Sequence, residues 1–453
     1  MFKLSQYIAK TELENGFTLV YSTRTSQLLR IKSLIFGLIE KHELENINSS
    51  SLLELFSNEI LVPEKENEFE TIINSFVAAM ETSSDVFSYT IQPSANCQLG
   101  CEYCGQVHEK INLTNDQSNQ IFEYLKNQID KYNYKRVEIT WYGAEPLLGL
   151  NGMRYLSQKL INYTELRDIQ YTASIITNGL AMKESVFMEL TKMGITQFQI
   201  TLDGTESLHD GSRFMKSKKG KTYDQILTNI KNAVNSANYD EYRCNILIRC
   251  NVSKKNYLDI NNLIDSIYRL GLQEKISMQF EPIHDWGKNE AHQEFGLSSE
   301  AFGEIEIDYL IKLRQLGFKR NLPLLPQRKF STCMITDKNS EIIDTKGRIA
   351  YCWEVPYTPK FDYVDSPFII GHINSEFSKK NRQKLPLGNW YEDIKNSRYN
   401  TWCKNCNFLP VCGGSCPINW YKGNPACPSF KYNIEDRLSL QYLDDIMYNF
   451  TND

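Results

Sequence analysis

Six short β-rich runs, separated by segments with helical spacing, constrain the fold of this 453-residue chain more than any other feature. The runs are FSYTIQP (87–93), RVEITWYG (136–143), QYTASIITNG (170–179), QFQITLDG (197–204), CNILIRCNV (244–252) and ISMQFEPI (276–283). Between the first two, Ile121, Leu125 and Ile129 recur at helical spacing and predict an amphipathic helix. Six βα units predict an α/β protein with a parallel sheet and right-handed crossovers, either an open doubly wound sheet or a partial barrel.

Unusual residues follow each of the first four runs. They are SANCQLGCEYC (94–104), GAEP (143–146), TNG (177–179) and the Asp203–Gly204 pair of LDG. The carboxyl ends of parallel strands lie at one face of a sheet or barrel, where sites are commonly built. We therefore expect these four motifs to converge on one mouth.

The segments before and after the six units differ in pattern. Residues 1–85 predict an antiparallel hairpin (YIAKTEL and FTLVYSTRTSQLLRI, turning at Glu14–Gly16), two helices (SLIFGLIEKH and SSLLELFSN) and a wing strand (EILVPE). From about residue 320 the chain is irregular and rich in Cys, Pro, Asn and Gly. The sequence thus predicts three regions, at residues 1–85, 86–320 and 321–453.

Charge and hydropathy narrow the class of protein. The formal net charge of −5 and the lack of long like-charge blocks argue against a nucleic-acid partner. The N-terminus lacks a signal pattern, and no apolar run is long enough for a membrane span, so we expect a cytoplasmic protein without a membrane partner. In that reducing compartment, the twelve cysteines are more plausibly metal ligands or reactive thiols than disulfides.

Cys97, Cys101 and Cys104 form a C-x3-C-x2-C cluster that can direct three sulfurs at one centre, although a zinc knuckle or buried thiols are alternatives. With Tyr103 before its last cysteine, the cluster resembles that of the radical S-adenosylmethionine (SAM) superfamily. The resemblance implies a partial (β/α)6 TIM-like barrel and a [4Fe–4S] cluster whose fourth iron binds SAM. It further implies reductive cleavage of SAM to a 5′-deoxyadenosyl radical that abstracts hydrogen from carbon.

The same resemblance implies a SAM pocket. Its candidate residues are Tyr103, Gly143, Ala144, Glu145, Pro146, Asn178, Asp203 and Arg213. GAEP is similar to the superfamily's GGEP stretch, with Ala144 in place of the second glycine. Asn178 and Asp203 would shape the pocket, with a local turn or helix cap as the alternative. Arg213 is the candidate partner of the SAM carboxylate, and an ordinary surface arginine is the alternative.

The C-terminal cysteines form two spaced patterns. Cys333, Gly347 and Cys352 give C-x13-G-x4-C, and Cys403, Cys406, Cys412, Cys416 and Cys427 give C-x2-C-x5-C-x3-C-x10-C. Together they resemble the SPASM domain, which holds auxiliary [4Fe–4S] clusters; a pair of zinc ribbons is the alternative.

The SPASM resemblance implies ligand sets for two auxiliary clusters. Cys403, Cys406, Cys412 and Cys427 would hold an outer cluster, and Cys333, Cys352 and Cys416 an inner one. Gln327 stands where sulfatase-maturing relatives have a further cysteine, so the inner cluster would have an open iron or a non-cysteine ligand. Cys244 and Cys250 are expected to be buried thiols of one strand, with redox-active thiols as the alternative.

SPASM-bearing enzymes mostly act on peptides or proteins, so the resemblance implies a polypeptide substrate. The N-terminal pattern is similar to the winged-helix-like domain that binds leader peptides, with a structural cap on the barrel as the alternative. We expect an enzyme that installs a C–C, C–O or thioether crosslink in a ribosomal precursor peptide. It would use an electron donor such as a flavodoxin or ferredoxin. Glu354 and Glu281 are candidate bases, with a salt bridge on a solvated face as the alternative for both.

Three other functions stay open at the level of sequence. The first is an anaerobic sulfatase-maturase-like enzyme that forms formylglycine. Trp353 follows Cys352 where those enzymes have an acidic residue, and this departure counts against that function. The others are a zinc-stabilised binding module and an inactive radical SAM scaffold.

Overall fold

The computed structural model describes residues 2–82, 85–217, 220–284, 290–318, 322–374 and 381–452. The expected domain boundary between residues 320 and 321 lies outside these ranges. None of the helices in the described part of the chain combines the length and apolarity needed to cross a bilayer.

The N-terminal region is a small α+β unit. Its elements are β1 (Phe2–Leu4), β2 (Ile8–Leu13), β3 (Phe17–Ser22), β4 (Gln27–Lys32), α1 (Ser33–Glu40), α2 (Ser49–Ser57), β5 (Leu61–Pro63) and α3 (Glu68–Glu81). Strands β2, β3 and β4 form an antiparallel meander, and the expected wing strand, β5, pairs with β1.

The prediction of a two-stranded hairpin over residues 7–31 is wrong, because its second arm forms two strands instead of one. The run FTLVYSTRTSQLLRI splits into β3 and β4, because the chain reverses where Ser26 N–H donates to the carbonyl of Ser22 at 2.8 Å. Four consecutive polar residues, Thr23 to Ser26, were the turn signal for this reversal. Helix α3 was not expected, and it joins this region to the barrel.

The central region alternates strands and helices as expected. Its strands are β6 (Val86–Ile91), β7 (Arg136–Trp141), β8 (Gln170–Thr177), β9 (Ile195–Thr201), β10 (Asn245–Val252) and β11 (Ile276–Pro282). Its helices are α4 (Asn115–Tyr132), α5 (Leu150–Glu165), α6 (Glu184–Lys192), α7 (Glu206–Ser212), α8 (Tyr223–Asn235), α9 (Ala237–Glu241), α10 (Ile260–Arg269), α11 (Ala291–Phe295) and α12 (Ser299–Gln315). The six strands are parallel and adjacent in chain order, which confirms the predicted α/β partial barrel.

The C-terminal region extends this sheet. Its elements are β12 (Ser340–Ile343), β13 (Arg348–Ala350), β14 (Ile369–His372), α13 (Trp390–Lys395), α14 (Leu409–Cys412), α15 (Pro417–Tyr421) and α16 (Ile434–Asn452). Strand β12 pairs parallel with β6, and β13 and β14 continue antiparallel. Gly347 closes the β12–β13 turn at φ +78°, in the left-handed region that favours glycine.

Apolar packing joins the three regions. One face of the N-terminal meander packs Leu19 and Tyr21 against Val411 and Leu438 of the C-terminal region. The opposite face packs against α1 and α2. In the barrel, Cys244 lies one residue before β10, and it and Cys250 are buried in the core as expected.

Candidate functional site

The loop that carries the first three cysteines is clamped at the mouth of the barrel. Gly100 N–H donates to the carbonyl of Phe214 at 2.9 Å, and Glu102 N–H donates to that of Ser212 at 3.0 Å. Cys97 is buried, and burial raises the pKa of its thiol to about 12, with the Glu145 carboxylate adding to the effect. Thiolates in such a place need a cation to stabilise them, which fits the donor set of an iron–sulfur cluster.

The GAEP motif forms the adjacent wall. Gly143 has φ +137°, and a Cβ there would lie 3.0 Å from the carbonyl oxygen of Ser94, so the turn requires glycine. Gly143 and Ala144 line the cavity described below, whereas Glu145 and Pro146 are buried behind it.

Glu145 fixes the end of β8 beside this wall. Its Oε1 accepts hydrogen bonds from the Thr177 hydroxyl at 2.6 Å and Leu147 N–H at 3.0 Å, and its Oε2 accepts from Asn178 N–H at 2.8 Å. Burial raises the pKa of the Glu145 carboxyl, and these hydrogen bonds oppose that rise. The Asn178 amide, so positioned, lies 3.9 Å from the sulfur of Cys97.

A buried polar network forms the wall at the ends of β9 and β10. Asp203 Oδ2 accepts a hydrogen bond from the Tyr103 hydroxyl, and Arg213 donates to the same hydroxyl. Asp203 Oδ1 accepts from Asn251 N–H at 2.7 Å, and the Asn251 amide donates to the Tyr103 hydroxyl at 3.0 Å. Burial raises the pKa of Asp203, and Arg213 opposes that rise. The network holds both Tyr103 and Arg213 against the cavity.

The cavity brings most of the expected residues together. It is open to solvent, has a volume of about 710 Å³ and is lined by Cys97, Cys101, Cys104, Tyr103, Gly143, Ala144, Asn178 and Arg213, with Gln106, His108, Tyr142 and Thr201 among the others. The Nε atom of Arg213 is buried and has no hydrogen-bond acceptor among the described residues. A buried guanidinium with an unmatched donor suits a carboxylate ligand, so the residues present fit SAM beside a cluster.

Four C-terminal cysteines surround a second, smaller cavity. Cys403, Cys406, Cys412 and Cys427 line about 330 Å³ together with Trp402, Trp420 and Lys431. Lys431 Nζ lies 3.7 Å from the Cys427 sulfur. The set is the one that the SPASM resemblance implies for an outer cluster.

The other three C-terminal cysteines also lie near one another. Burial raises the pKa of Cys352 well above its usual range, and the Glu354 carboxylate and the Cys416 and Cys333 thiols add to this effect. Glu354 forms an ion pair with Lys422 at 2.8 Å, so the salt bridge expected as the alternative is present, but both side chains are buried rather than on a solvated face.

The two candidate bases occupy different surroundings. Glu281 aligns with Asn251 in the β10–β11 register and accepts a hydrogen bond from Gln279 at 2.8 Å, on the same side of the sheet as the polar network. Glu354 lies beside Cys352 instead. Gln327 donates to the carbonyl of Leu325 at 3.2 Å.

Several residues near the site were not predicted from the sequence. Asn251 completes the Tyr103 network, and His108 lies 3.9 Å from the Cys104 sulfur. The centroids of the Tyr142 and Trp353 rings lie 5.3 Å apart. Tyr142 stands directly before GAEP and Asn251 directly after Cys250, and these positions were the signals available in the sequence.

Comparisons with known proteins agree with this geometry. Residues 91–247 match the family model of the radical SAM superfamily. The chain is 26% identical over 391 residues to a cysteine-type anaerobic sulfatase-maturating enzyme of Clostridium novyi (strain NT), covering 78% of this chain and 95% of the relative. It is 23% identical over 364 residues to a serine-type enzyme of the same kind from Bacteroides thetaiotaomicron, covering 72% and 81%.

A solved structure supports the same fold. Native anSMEcpe with bound AdoMet, another abbreviation for SAM, has a TM-score of 0.55 at 15% identity, covering 81% of this chain and 99% of that one. This likeness supports the fold, and the family match and the sulfatase-maturating relatives support an enzyme that uses a [4Fe–4S] cluster and SAM. Residues 91–247 therefore match the radical SAM superfamily, within a longer chain that is similar to anaerobic sulfatase-maturating enzymes.

Proposed function

We propose that this enzyme is a maturase that forms an intramolecular crosslink in a ribosomally made precursor peptide. Residues 1–85 bind the leader of that peptide, residues 86–320 carry the radical chemistry, and residues 321–453 hold two auxiliary clusters. A flavodoxin or ferredoxin supplies the electrons. The bound cluster and SAM together supply a carbon-centred oxidant able to remove hydrogen from an unactivated C–H bond.

The chain's own residues bind and orient these groups. Cys97, Cys101 and Cys104 supply three thiolates, and Arg213 offers its unmatched Nε–H to the SAM carboxylate. The Tyr103 and Asp203 network holds that guanidinium in place. These contacts explain why the cavity wall is built from buried polar groups.

The unpaired edge of strand β4 is the observation that best supports a peptide substrate. Within the described residues, β4 pairs with β3 and with no other strand, so one row of its backbone groups is available. Leu34, two residues beyond the end of β4, is 76% exposed. A leader peptide can add there as a further strand, with main-chain hydrogen bonds for affinity and an apolar contact for specificity.

The C-terminal cysteines would hold auxiliary clusters, which are able to accept the second electron of the crosslinking reaction. A crosslink removes two hydrogen atoms from the peptide, and the substrate radical must lose one electron after the first abstraction. Cys352, Cys416 and Cys333 would hold the inner cluster, and Tyr142 lies near both Cys104 and Cys352. Glu354 or Glu281 accepts the proton that is released.

Formylglycine formation is the second candidate, favoured by the two sulfatase-maturating relatives. Two residues argue against it, since Trp353 follows Cys352 and Gln327 stands at the position of the further cysteine.

Anaerobic iron and sulfide analysis tests the cluster assignment. We expect about twelve irons in the reconstituted enzyme and about eight in the Cys97→Ala, Cys101→Ala, Cys104→Ala variant, because one of three cubes is lost. Zinc in place of iron, or no loss of iron in the variant, would refute the assignment.

Mass spectrometry then tests the reaction. The enzyme, SAM and dithionite are incubated with the peptides encoded by small open reading frames beside the gene. A crosslink lowers the peptide mass by two hydrogen atoms and leaves no aldehyde, whereas formylglycine reacts with a hydrazide probe. An aldehyde product would favour the second candidate.

A further inference from the structure

Trp353 is the one exposed side chain in a segment that is otherwise buried. It is 43% exposed, whereas all other residues of 351–358 are buried. An exposed indole leaves a large apolar face in water, which is unfavourable unless that face has another use.

The position of this indole relates it to the barrel cavity. Its ring centroid lies 5.3 Å from that of Tyr142, and Tyr142 lines the cavity next to Gly143. The loop that follows the cysteine cluster contacts the same segment, since Val107 N–H donates to the carbonyl of Tyr357 at 2.7 Å. Trp353 thus lies beside the mouth through which a substrate reaches the cavity.

The backbone around Trp353 is fixed on both sides. Cys352 before it is buried, and Glu354 after it forms the buried ion pair with Lys422. Val355 is completely buried as well. A rigid aromatic side chain loses little entropy when a ligand packs on it, which is typical of residues that dominate recognition.

The charges near the cavity indicate which kind of substrate side chain would pack on the exposed indole face of Trp353. Arg213 lines the cavity but forms an ion pair with Asp203, and Glu354, next to Trp353, forms one with Lys422. Because these charges of both signs are already paired within the protein, they give a charged side chain of the substrate little attraction at the indole face. An uncharged apolar side chain gains from the contact with the indole without needing such a partner.

We propose that Trp353 is a specificity-determining contact for one large apolar side chain of the substrate peptide, aromatic or branched aliphatic. This side chain belongs to a residue close to the one that enters the cavity. The inference rests on the proposed peptide substrate and adds a sequence preference to it.

The test is a selection of randomised peptides, displayed on their messenger RNA, against the immobilised cluster-loaded enzyme with SAM bound. The wild type, Trp353→Phe and a control variant, Tyr132→Ala, should each enrich a large apolar residue at one peptide position. Tyr132 is a similarly exposed aromatic residue, at 54%, but lies at the amino end of the strands, four residues before β7. Trp353→Ala should lower that enrichment roughly tenfold, the effect of losing one good aromatic contact with its apolar burial.

A charge reversal separates recognition from a structural role. Trp353→Glu should change the preference at the same peptide position toward lysine and arginine, whereas loss of a merely structural residue would not create a new preference. Iron content and unfolding midpoint are measured for each variant, and Trp353→Gln replaces the alanine variant if that one loses iron.

Two outcomes would overturn these proposals and are distinguishable. An unchanged apolar preference in the alanine or glutamine variant overturns the role of Trp353 alone. If the wild type itself enriches no peptide, the proposed peptide substrate fails together with the inference.

Discussion

Glu145 offers the sharpest test of how the cavity wall is held. Replacing it with alanine removes the acceptor of three hydrogen bonds, from Thr177, Leu147 and Asn178. A hydrogen bond to a charged group contributes about 1.5–3 kcal/mol, and each buried donor left unmatched costs about 1–3 kcal/mol. Since the variant also avoids burying a carboxylate, we expect a net loss of roughly 3–5 kcal/mol in the free energy of unfolding.

The glutamine variant should be milder. Its amide oxygen can still accept from Thr177 and Leu147, but its amide nitrogen would face the N–H of Asn178, at a cost of about 1–3 kcal/mol. Glu138→Gln is the matched control, because Glu138 lies on the adjoining strand with 42% of its side chain exposed in a surface ion pair. We expect a change within about 0.5 kcal/mol there.

Two measurements check this reasoning. Urea unfolding of the metal-free protein gives the stability change, and anaerobic calorimetry of the cluster-loaded protein gives SAM affinity. Affinity should fall in both Glu145 variants, because Asn178 loses the contact that positions it beside Cys97. Wild-type stability and SAM affinity in Glu145→Ala would refute the role assigned to this carboxylate.

Two further predictions concern buried charge. Burial and the nearby Arg213 lower the pKa of His209 to about 3, so the unfolded chain binds a proton below about pH 6.5 that the folded protein does not. Stability should therefore fall by about 2 kcal/mol from pH 7 to pH 5 on account of this residue, and the pH series of His209→Gln should lack that loss. Lys422→Met removes the amine paired with the buried Glu354 and should cost about 3–5 kcal/mol in urea unfolding. Adding Glu354→Gln to it should restore most of the loss, and a double variant as unstable as the single one would contradict the pairing.

Sequence patterns were sufficient for the six parallel strands because their signals are local, whereas the choice of a partial barrel over an open sheet came from the family resemblance. Each strand of the barrel is a run of apolar and β-branched residues within a few positions, and the run at 87–93 begins within one residue of β6. The β3–β4 reversal was missed although its turn signal is local too. Thr23 to Ser26 are all polar, but the run contains none of the Gly, Pro, Asn or Asp residues that mark most turns.

The sequence by itself determined which thiols would lie together and which strand ends would meet. The spacing of Cys97, Cys101 and Cys104 is short enough to direct all three at one centre, and parallel strands must end at one face. The sequence also indicated that Cys244 and Cys250 are not cluster ligands. Their even spacing places both on one side of a strand, and a free cysteine there is usually buried.

Only the tertiary structure decided the partners of these residues. Asn251 reaches Tyr103 across 148 positions of sequence, and Lys422 reaches Glu354 across 68. Tyr142 and Trp353 meet because β12 pairs with β6 and brings the C-terminal region to the mouth of the barrel. Such contacts depend on how distant elements pack, and local propensity and spacing carry no information about that packing.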